Sequence, residues 1–291
     1  MVASDFARDA VSIAADARTE AAPRTAAVPP EAYFVGSAIF HYLGPAFAVL
    51  LFARVAPLGV AWLRILIAAI VFAAWRRASL RRVLLDRVVL IWALVLAAMN
   101  CCFYIAIDRL PLATVAAIEF LPVVGLAALG ARTPRNVAAL ALAVPGVYVL
   151  TGVHLAGEAT GIAFAFANAL LFAAYIICAD HAAKEGLGID GLAGAMLLAA
   201  VFVTPVGATS VDAVAIAAGA GVAISSSVIP YVFDQLALTR LPRATYSLMV
   251  AILPATATVI GLIVLAQVPT LRDLAGIGLV AAGVALHRPP A

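Results

Sequence analysis

Glu119 and Arg64 are charged residues that lie inside otherwise apolar stretches of the sequence. If those stretches cross a membrane, a charge at mid-depth costs about 2.5–3.5 kcal/mol on insertion scales and is expected to face a cavity or a partner. Glu119 could supply the counter-charge for a substrate ammonium, act as a protonatable switch, or be a neutral carboxyl that hydrogen-bonds to a neighbouring helix. Arg64 could bind a substrate carboxylate bidentately, pair with Glu119 as a gate, or extend outward to cap loop carbonyls.

Polar and aromatic residues at similar depth predict that these two charges face a lined cavity. Each of them taken alone can also be explained as a contact between packed helices, because polar side chains hold helices together in apolar surroundings. Their concentration near the middle of several stretches favours the cavity. The further candidate substrate-binding residues are His41, Tyr42, Asn100, Phe103, Tyr104, Tyr175, Ser227, Tyr231, Tyr246 and Met249, and Asn168 lies at the same depth.

Three prolines inside apolar stretches are candidate hinges: Pro122, Pro230 and Pro254. Each removes a backbone hydrogen bond and can kink a helix. Kinks near the membrane midplane would permit one part of the molecule to move against another, and the alternative is a static curvature.

The composition predicts a protein embedded in a lipid bilayer. Of the 291 residues, 66% are hydrophobic and 11% are charged, and the mean hydropathy is +1.13. The apolar runs are about 20 residues long, the length with which a helix crosses a bilayer. We therefore predict an all-α membrane protein with ten transmembrane helices, over residues 33–52, 57–75, 88–107, 112–131, 136–151, 161–179, 191–208, 214–237, 244–266 and 273–286.

The distribution of basic residues predicts the orientation. With the N-terminus inside, 14 of the 18 Lys and Arg residues fall on the inner side and three on the outer side. Cytoplasmic loops are enriched in these residues, so both termini are predicted to be cytoplasmic. Residues 1–32 lack the basic and apolar regions of a signal peptide and are predicted to form a mobile cytoplasmic tail. Nothing in the sequence forms a nucleic-acid-binding patch, and the lipid bilayer is the expected environment.

Two stretches of the sequence, residues 99–122 and 230–254, resemble each other. Each contains Arg-Leu-Pro-x-Ala-Thr between two apolar segments, and each second segment contains a proline. Five predicted helices separate equivalent points, and because five is odd the two halves must have opposite orientations in the membrane. Inverted repeats of this kind occur in secondary transporters, with the substrate site near the midplane. We predict a first repeat over residues 33–152 and a second over residues 153–291.

The positions at which the two copies differ are candidates for binding an asymmetric substrate. Asn100 aligns with Tyr231, and Glu119 has only Ala251 as its counterpart. The interval from Pro111 to Pro122 is also one residue shorter than the corresponding interval from Pro242 to Pro254. One residue changes the direction in which a helix face points by about 100°, unless a local bulge absorbs the difference.

Motifs of enzymes and of ATP-driven pumps are absent from the sequence. There is no HExxH, GxSxG or Walker pattern, and the cysteines Cys101, Cys102 and Cys178 do not have a metal-binding spacing. A channel would need rings of charge or a carbonyl filter, which are not evident either. No catalytic residue, metal or cofactor is therefore predicted.

Several short segments resemble the drug/metabolite transporter superfamily, and within it the EamA-like amino-acid exporters. They are Ala98-Met99-Asn100, Phe103-Tyr104, Pro111-Leu112, Ile118-Glu119-Phe120, Pro230-Tyr231 and Ala-Leu-Thr-Arg-Leu-Pro at 237–242, and they look most like the threonine/homoserine exporter branch. The resemblance implies ten helices around a central cavity in a bacterial inner membrane. It also implies export of neutral amino acids, threonine/homoserine-like or aromatic, by alternating access, with another small metabolite or a drug as the alternative cargo.

The chain departs from the pattern of this superfamily at one loop. The turn after the ninth helix usually carries Gly-Glu, and here Ala266-Gln267 stands in its place. A role for that acidic residue cannot be carried over to this chain.

Overall fold

The computed structural model describes residues 29–76, 83–122, 133–154, 158–208, 211–230, 233 and 252–286, and these ranges are all-helical, with turns between the helices. The helices, which we number in chain order, are α1 Pro30–Leu51, α2 Pro57–Trp75, α3 Arg87–Arg109, α4 Leu112–Glu119, α5 Pro134–His154, α6 Ala159–Lys184, α7 Gly188–Gly207, α8 Ala213–Ala223, α9 Leu253–Leu265 and α10 Leu271–Leu286. A π-helical segment, Ile224–Val228, continues α8 directly.

Five of the described helices are long and apolar enough to cross a membrane. They are α1, α2, α3, α6 and α7, and the segments Ala213–Val228 and Leu253–Leu265 are apolar but shorter. Large aliphatic and aromatic side chains remain exposed along their outer faces, including Ile70, Leu94 and Leu170. An exposed apolar surface of this kind is suited to lipid contact.

Proline and aspartate begin several of the helices. Proline occupies the first position of α1, α2 and α5, where its missing N–H would have no helical partner in any case. The Asp86 carboxylate accepts hydrogen bonds from the first N–H groups of α3, and the Asp212 carboxylate accepts one from Ala215 in α8. These are strong local signals, and the predicted bounds of α2 are confirmed.

Two predicted helices are irregular in the structure. We predicted a continuous helix over residues 112–131, but the regular helix ends at Glu119 and Phe120 forms a turn. The cause is Pro122, which cannot donate to the carbonyl of Ile118 and disfavours helical geometry at the residue before it. The predicted helix over residues 214–237 is interrupted in a different way, by the π-helical turns at Ile224–Val228.

The helices pack in pairs that are related by a shift of five helices. Helix α3 packs against α6 and α7, and the corresponding pairs α8 with α1 and α8 with α2 are also in contact. The pair α1 with α9 likewise corresponds to α6 with α4. Three further pairs, α2 with α7, α4 with α9 and α5 with α10, each correspond to themselves under the same exchange, whereas the contact of α2 with α3 has no counterpart of similar extent between α7 and α8 in the described ranges.

Glycine permits very close packing between α1 and the π-helical segment. A methyl group at Gly44 would lie 2.8 Å from the backbone nitrogen of Ser226 and 2.9 Å from its Cα. The Ser37 hydroxyl, on the same helix, donates to the carbonyl of Pro230 at 3.3 Å. The backbone of the π-helical segment is therefore held directly against α1.

Ion pairs join the helices near both ends of α2. Arg76, just after α2, contacts Asp190 at the start of α7. Arg54, just before α2, lies 3.6 Å from Asp212, and both of these side chains are largely exposed. The pair of Arg76 with Asp190 is more buried than the pair of Arg54 with Asp212. Its electrostatic attraction is therefore screened less by solvent and salt.

The turn after α9 is connected to the start of α4 by the side chain of Gln267. Its Oε1 atom accepts a hydrogen bond from the N–H of Leu112 at 3.1 Å. Gly261 leaves room for this side chain, because a methyl group there would lie 2.9 Å from Oε1. Ala266 adopts a left-handed conformation with φ of 53°, which favours glycine. At the loop that departs from the family pattern, Gln267 thus has a structural role, because it caps the start of α4.

We expect Ala266→Gly to stabilise the protein by about 0.5–1 kcal/mol. Glycine removes the steric cost of the left-handed conformation, about 1–2 kcal/mol, and loses part of this gain through the greater entropy of the unfolded chain. Thermal unfolding in detergent should show the higher midpoint. The matched control is Ala275→Gly, at an exposed position within α10, which should lower the midpoint because glycine weakens a helix interior. A decrease at both positions would contradict the explanation.

Candidate functional site

Four polar residues lie at a similar distance from one end of the helix bundle. This end, which we call the Arg109 end, is where α2 begins, α3 ends and α6 begins; Gly161 packs there against Arg109 and Leu110. Arg64 is seven residues from the start of α2 and Glu119 seven from the start of α4. Asn100 and Asn168 are each nine residues from the nearer ends of α3 and α6. At 1.5 Å per residue these positions are about 10–14 Å deep.

The Arg64 guanidinium binds polar groups on two other elements. Its Nη1 donates to Asn100 Oδ1 at 2.7 Å, and its Nε donates to the hydroxyl of Ser227 at 3.3 Å. Nη2 lies 3.5 Å from the carbonyl oxygen of Ser226. The guanidinium carbon also lies 5.8 Å from the centroid of the Tyr104 ring. Arg64 therefore points into the bundle, and the interpretation that it caps loop carbonyls is wrong.

A proline after the π-helical segment explains why a backbone carbonyl is available to Arg64. In an α-helix each carbonyl accepts from the residue four positions later, and for Ser226 that residue is Pro230, which has no N–H. The hydroxyls of Ser225 and Ser226 bond back to the carbonyls of Gly221 and Val222, at 2.7 Å and 2.6 Å. The hydroxyl of Ser227 is left to face Arg64. Such π-turns are frequent at functional sites.

Glu119 is bound by Asn168 of α6. Asn168 Nδ2 donates to Glu119 Oε1 at 3.1 Å, and Asn168 is fully buried. The helix of Glu119, α4, also contacts α1, which carries Tyr42. Among the residues that the structure describes, no direct hydrogen bond joins Arg64 to Glu119, so the predicted gate between these two side chains is not closed.

Three buried polar atoms near these charges have no hydrogen-bond partner within the described ranges. They are the hydroxyls of Tyr42 and Tyr104 and the Oδ1 atom of Asn168. Each of these side chains is at most 1% exposed. A buried polar atom without a partner costs about 1–3 kcal/mol, so a cluster of them is expected where a ligand or water completes the hydrogen bonds.

The other predicted site residues have different surroundings. The His41 side chain is exposed and its ring contacts Tyr42 at 5.4 Å between centroids. Phe103 lies beside Tyr104 at 5.7 Å. Tyr175 stacks on Phe172 and packs against Trp92, in the core cluster between α3, α6 and α7. Tyr231, Tyr246 and Met249 lie outside the described residues.

The three predicted hinge prolines also differ in their settings. Pro122 follows the break after Glu119. Pro230 is buried, and its carbonyl accepts the hydrogen bond from Ser37. Pro254 lies in the first turn of the described part of α9, where a proline interrupts no helical hydrogen bond. Of the three, Pro122 is next to a candidate binding residue and at an irregular backbone.

Small and larger cavities lie along the described elements. One of about 20 Å³, bounded by Arg64, Asn100, Met196 and Ser227 among others, has room for a single water. In the described part of the chain, three larger cavities, of about 230, 420 and 390 Å³, open near the Arg109 end. The first of these is lined by Gln267, and the second lies where α2, α3, α6 and α7 meet.

Two features of this region could not be recognised in the sequence. The cap that Gln267 provides joins residues 155 positions apart, and the contact of Arg64 with the Ser226 carbonyl involves a backbone atom. The sequence signals were indirect. The Ala266-Gln267 departure from the family pattern marked the loop but not its partner, and Pro230 leaves the Ser226 carbonyl without a helical donor but does not identify Arg64 as its partner.

The comparisons with known proteins agree with this fold. A model of the EamA-like transporter family matches residues 159–287. The chain is 31% identical to the threonine/homoserine exporter RhtA of Salmonella typhimurium (strain SL1344), over 78% of this chain and 80% of that protein. It is 30% identical to the RhtA of Escherichia coli (strain K12), over 82% of this chain and 84% of that protein. A solved crystal structure shares the fold, with a TM-score of 0.60 and 20% identity over 88% of this chain and 96% of that chain.

The fold and these relatives define a class, the helical transporters of the drug/metabolite transporter superfamily. Within that class, the chain belongs to the EamA-like transporter family, and it is similar to the threonine/homoserine exporters. The family predicted from the short sequence segments is thereby confirmed.

Proposed function

We propose that this protein is a secondary transporter that exports neutral amino acids, threonine- and homoserine-like ones first, by alternating access. The observation that carries the proposal is the pattern of contacts around two partly buried charges, Arg64 and Glu119. Arg64 and Glu119 belong to the first half of the chain, and each is bound by a polar group of the second half, at Ser227 and Asn168. A zwitterion carries complementary charges for both residues.

In this mechanism the substrate replaces contacts between the halves. A carboxylate that binds Arg64 competes with the Ser226 carbonyl and the Ser227 hydroxyl, which belong to the second half of the chain. Binding would therefore change the interactions that hold one half against the other. A ligand shifts a conformational equilibrium by its difference in affinity for the two states, which this exchange of contacts supplies.

The proposed mechanism includes two inverted repeats, over residues 33–152 and 153–291, with both termini in the cytoplasm and the protein in the inner membrane. The helix pairs that match under a shift of five helices support the repeat. The family model supports it as well, since its match begins with α6 and ends just after α10. The Arg109 end would then face outward.

The alternative cargo is another small metabolite or a drug. The similar proteins from Salmonella typhimurium and Escherichia coli are threonine/homoserine exporters, so amino acids are the cargo of those proteins. The two opposite charges favour a zwitterion for this one, because a singly charged drug would leave one of them without a counterpart and a neutral drug would leave both.

Flux of radiolabelled amino acids in proteoliposomes tests the proposal. We expect transport of L-threonine and L-homoserine that unlabelled neutral amino acids inhibit. The neutral amino acids should inhibit this flux more strongly than the corresponding amino-acid amides, because the amides lack the carboxylate. Absence of flux for every neutral amino acid would remove the proposed function.

The inverted repeat predicts opposite accessibility for the two Arg-Leu-Pro turns. In a variant without Cys101, Cys102 and Cys178, we expect single cysteines at Arg109 and Arg240 to react with an impermeant maleimide from opposite sides of the membrane. The position of Arg240 is taken from the sequence, since it lies outside the described residues. Labelling of both from the same side would contradict the repeat.

A further inference from the structure

We propose that Glu119, Asn168 and Tyr42 form a seat for the primary ammonium group of the exported amino acid, an inference that rests on the proposed function. Asn168 is the central residue of this seat. Its Nδ2 donates to Glu119 Oε1 at 3.1 Å, which fixes the orientation of the amide. Its Oδ1 is then left as an acceptor, fully buried and without a partner among the residues that the structure describes.

Tyr42 adds a third oxygen to this seat. Its side chain is 1% exposed, and its hydroxyl has no hydrogen-bond partner in the described part of the chain. Helix α1, which carries Tyr42, contacts α4, which carries Glu119. The three residues come from α1, α4 and α6, and α4 packs against α6.

The chemistry of these oxygens fits an ammonium group. A primary ammonium has three N–H donors and no acceptor. The seat offers a carboxylate, an amide oxygen and a hydroxyl, all of which can accept, and the carboxylate supplies the opposite charge. Each buried acceptor that gains a partner also loses the cost of being unpaired. An alkali cation binds to the same kinds of oxygen, so the test must separate an ammonium from a metal ion.

The binding experiment compares a substrate with an analogue that lacks only the amino group. Purified protein in lipid nanodiscs is titrated with L-homoserine and with 2,4-dihydroxybutyrate, for the wild type and for Asn168→Leu. We expect the variant to lose about 10-fold to 100-fold in affinity for homoserine, the range for hydrogen bonds to a charged group. Its affinity for the hydroxy acid should change less than about threefold, within the usual context-dependence of a single contact.

The same substitution at another buried asparagine is the control. Asn136 is 1% exposed and lies near the start of α5, and Asn136→Leu should retain the wild-type preference for the amine. Equal losses of affinity for homoserine and for 2,4-dihydroxybutyrate in Asn168→Leu would overturn the proposal. The proposal would also be overturned if the wild type bound homoserine in sodium buffer but not when choline replaced the sodium.

A third probe separates the seat from the proposed function. Methylammonium, at millimolar concentration, carries only the group that the seat would bind. If it raises the unfolding temperature of the wild type but not of Asn168→Leu while no amino acid binds, the seat stands and the proposed function fails. If amino acids bind and Asn168→Leu prefers homoserine to 2,4-dihydroxybutyrate as strongly as the wild type does, the seat is wrong and the proposed function stands.

Discussion

Replacement of Arg64 by leucine is expected to lower amino-acid flux by at least about 100-fold. A bidentate contact with a carboxylate comprises two charge-assisted hydrogen bonds, each worth about 1.5–3 kcal/mol, and about 1.4 kcal/mol corresponds to a factor of ten. Arg64→Lys should recover part of the flux, because lysine keeps the charge and lacks the planar fork. Initial rates in proteoliposomes measure both effects. Arg272→Leu, at an exposed position near the start of α10, should transport as the wild type does.

A purely structural role for Arg64 predicts a different result. Removal of Arg64 leaves the buried Oδ1 of Asn100 without its 2.7 Å partner, which costs about 1–3 kcal/mol of stability. Replacing Asn100 by leucine as well removes that unpaired atom. We expect the double variant to regain thermal stability but not flux. Recovery of both would mean that Arg64 only holds α2 against α3.

Replacement of Glu119 by glutamine is expected to lower flux by about 10-fold to 100-fold while the fold is preserved. Glutamine retains an oxygen that can accept the hydrogen bond from Asn168, so the main loss is the negative charge opposite the substrate ammonium. The measurement is flux between pH 5 and 8. Glu31→Gln, in the exposed first turn of α1, is the matched control and should leave flux unchanged.

The pH series distinguishes the roles that were open for Glu119. A counter-charge predicts a loss at every pH, whereas a protonatable switch predicts that the variant loses the pH dependence of the wild type. Wild-type rates across the whole series would leave Glu119 as a carboxyl that only joins α4 to α6.

Local chemistry made several elements predictable from the sequence. The bounds of α2 follow from Pro57 at its start and a basic residue at its end, and the structure agrees. The family followed from short segments around Asn100 and Glu119, and the relatives confirm it. The break at Phe120 could have been anticipated as well, because Pro122 removes a hydrogen bond at a known distance along the chain.

What the sequence alone determined is therefore the set of apolar segments, their proline and aspartate starts, and the charged residues that had to face inward. Only the tertiary structure decided that Glu119 meets Asn168, that Arg64 meets Ser227, and that Gln267 caps α4. These pairs are 49, 163 and 155 residues apart. The physical reason is that a helix apolar on every side carries no periodic pattern to mark its buried face. Its rotation is set by packing against neighbouring helices, and through small residues such as Gly44 that packing brings the polar groups together.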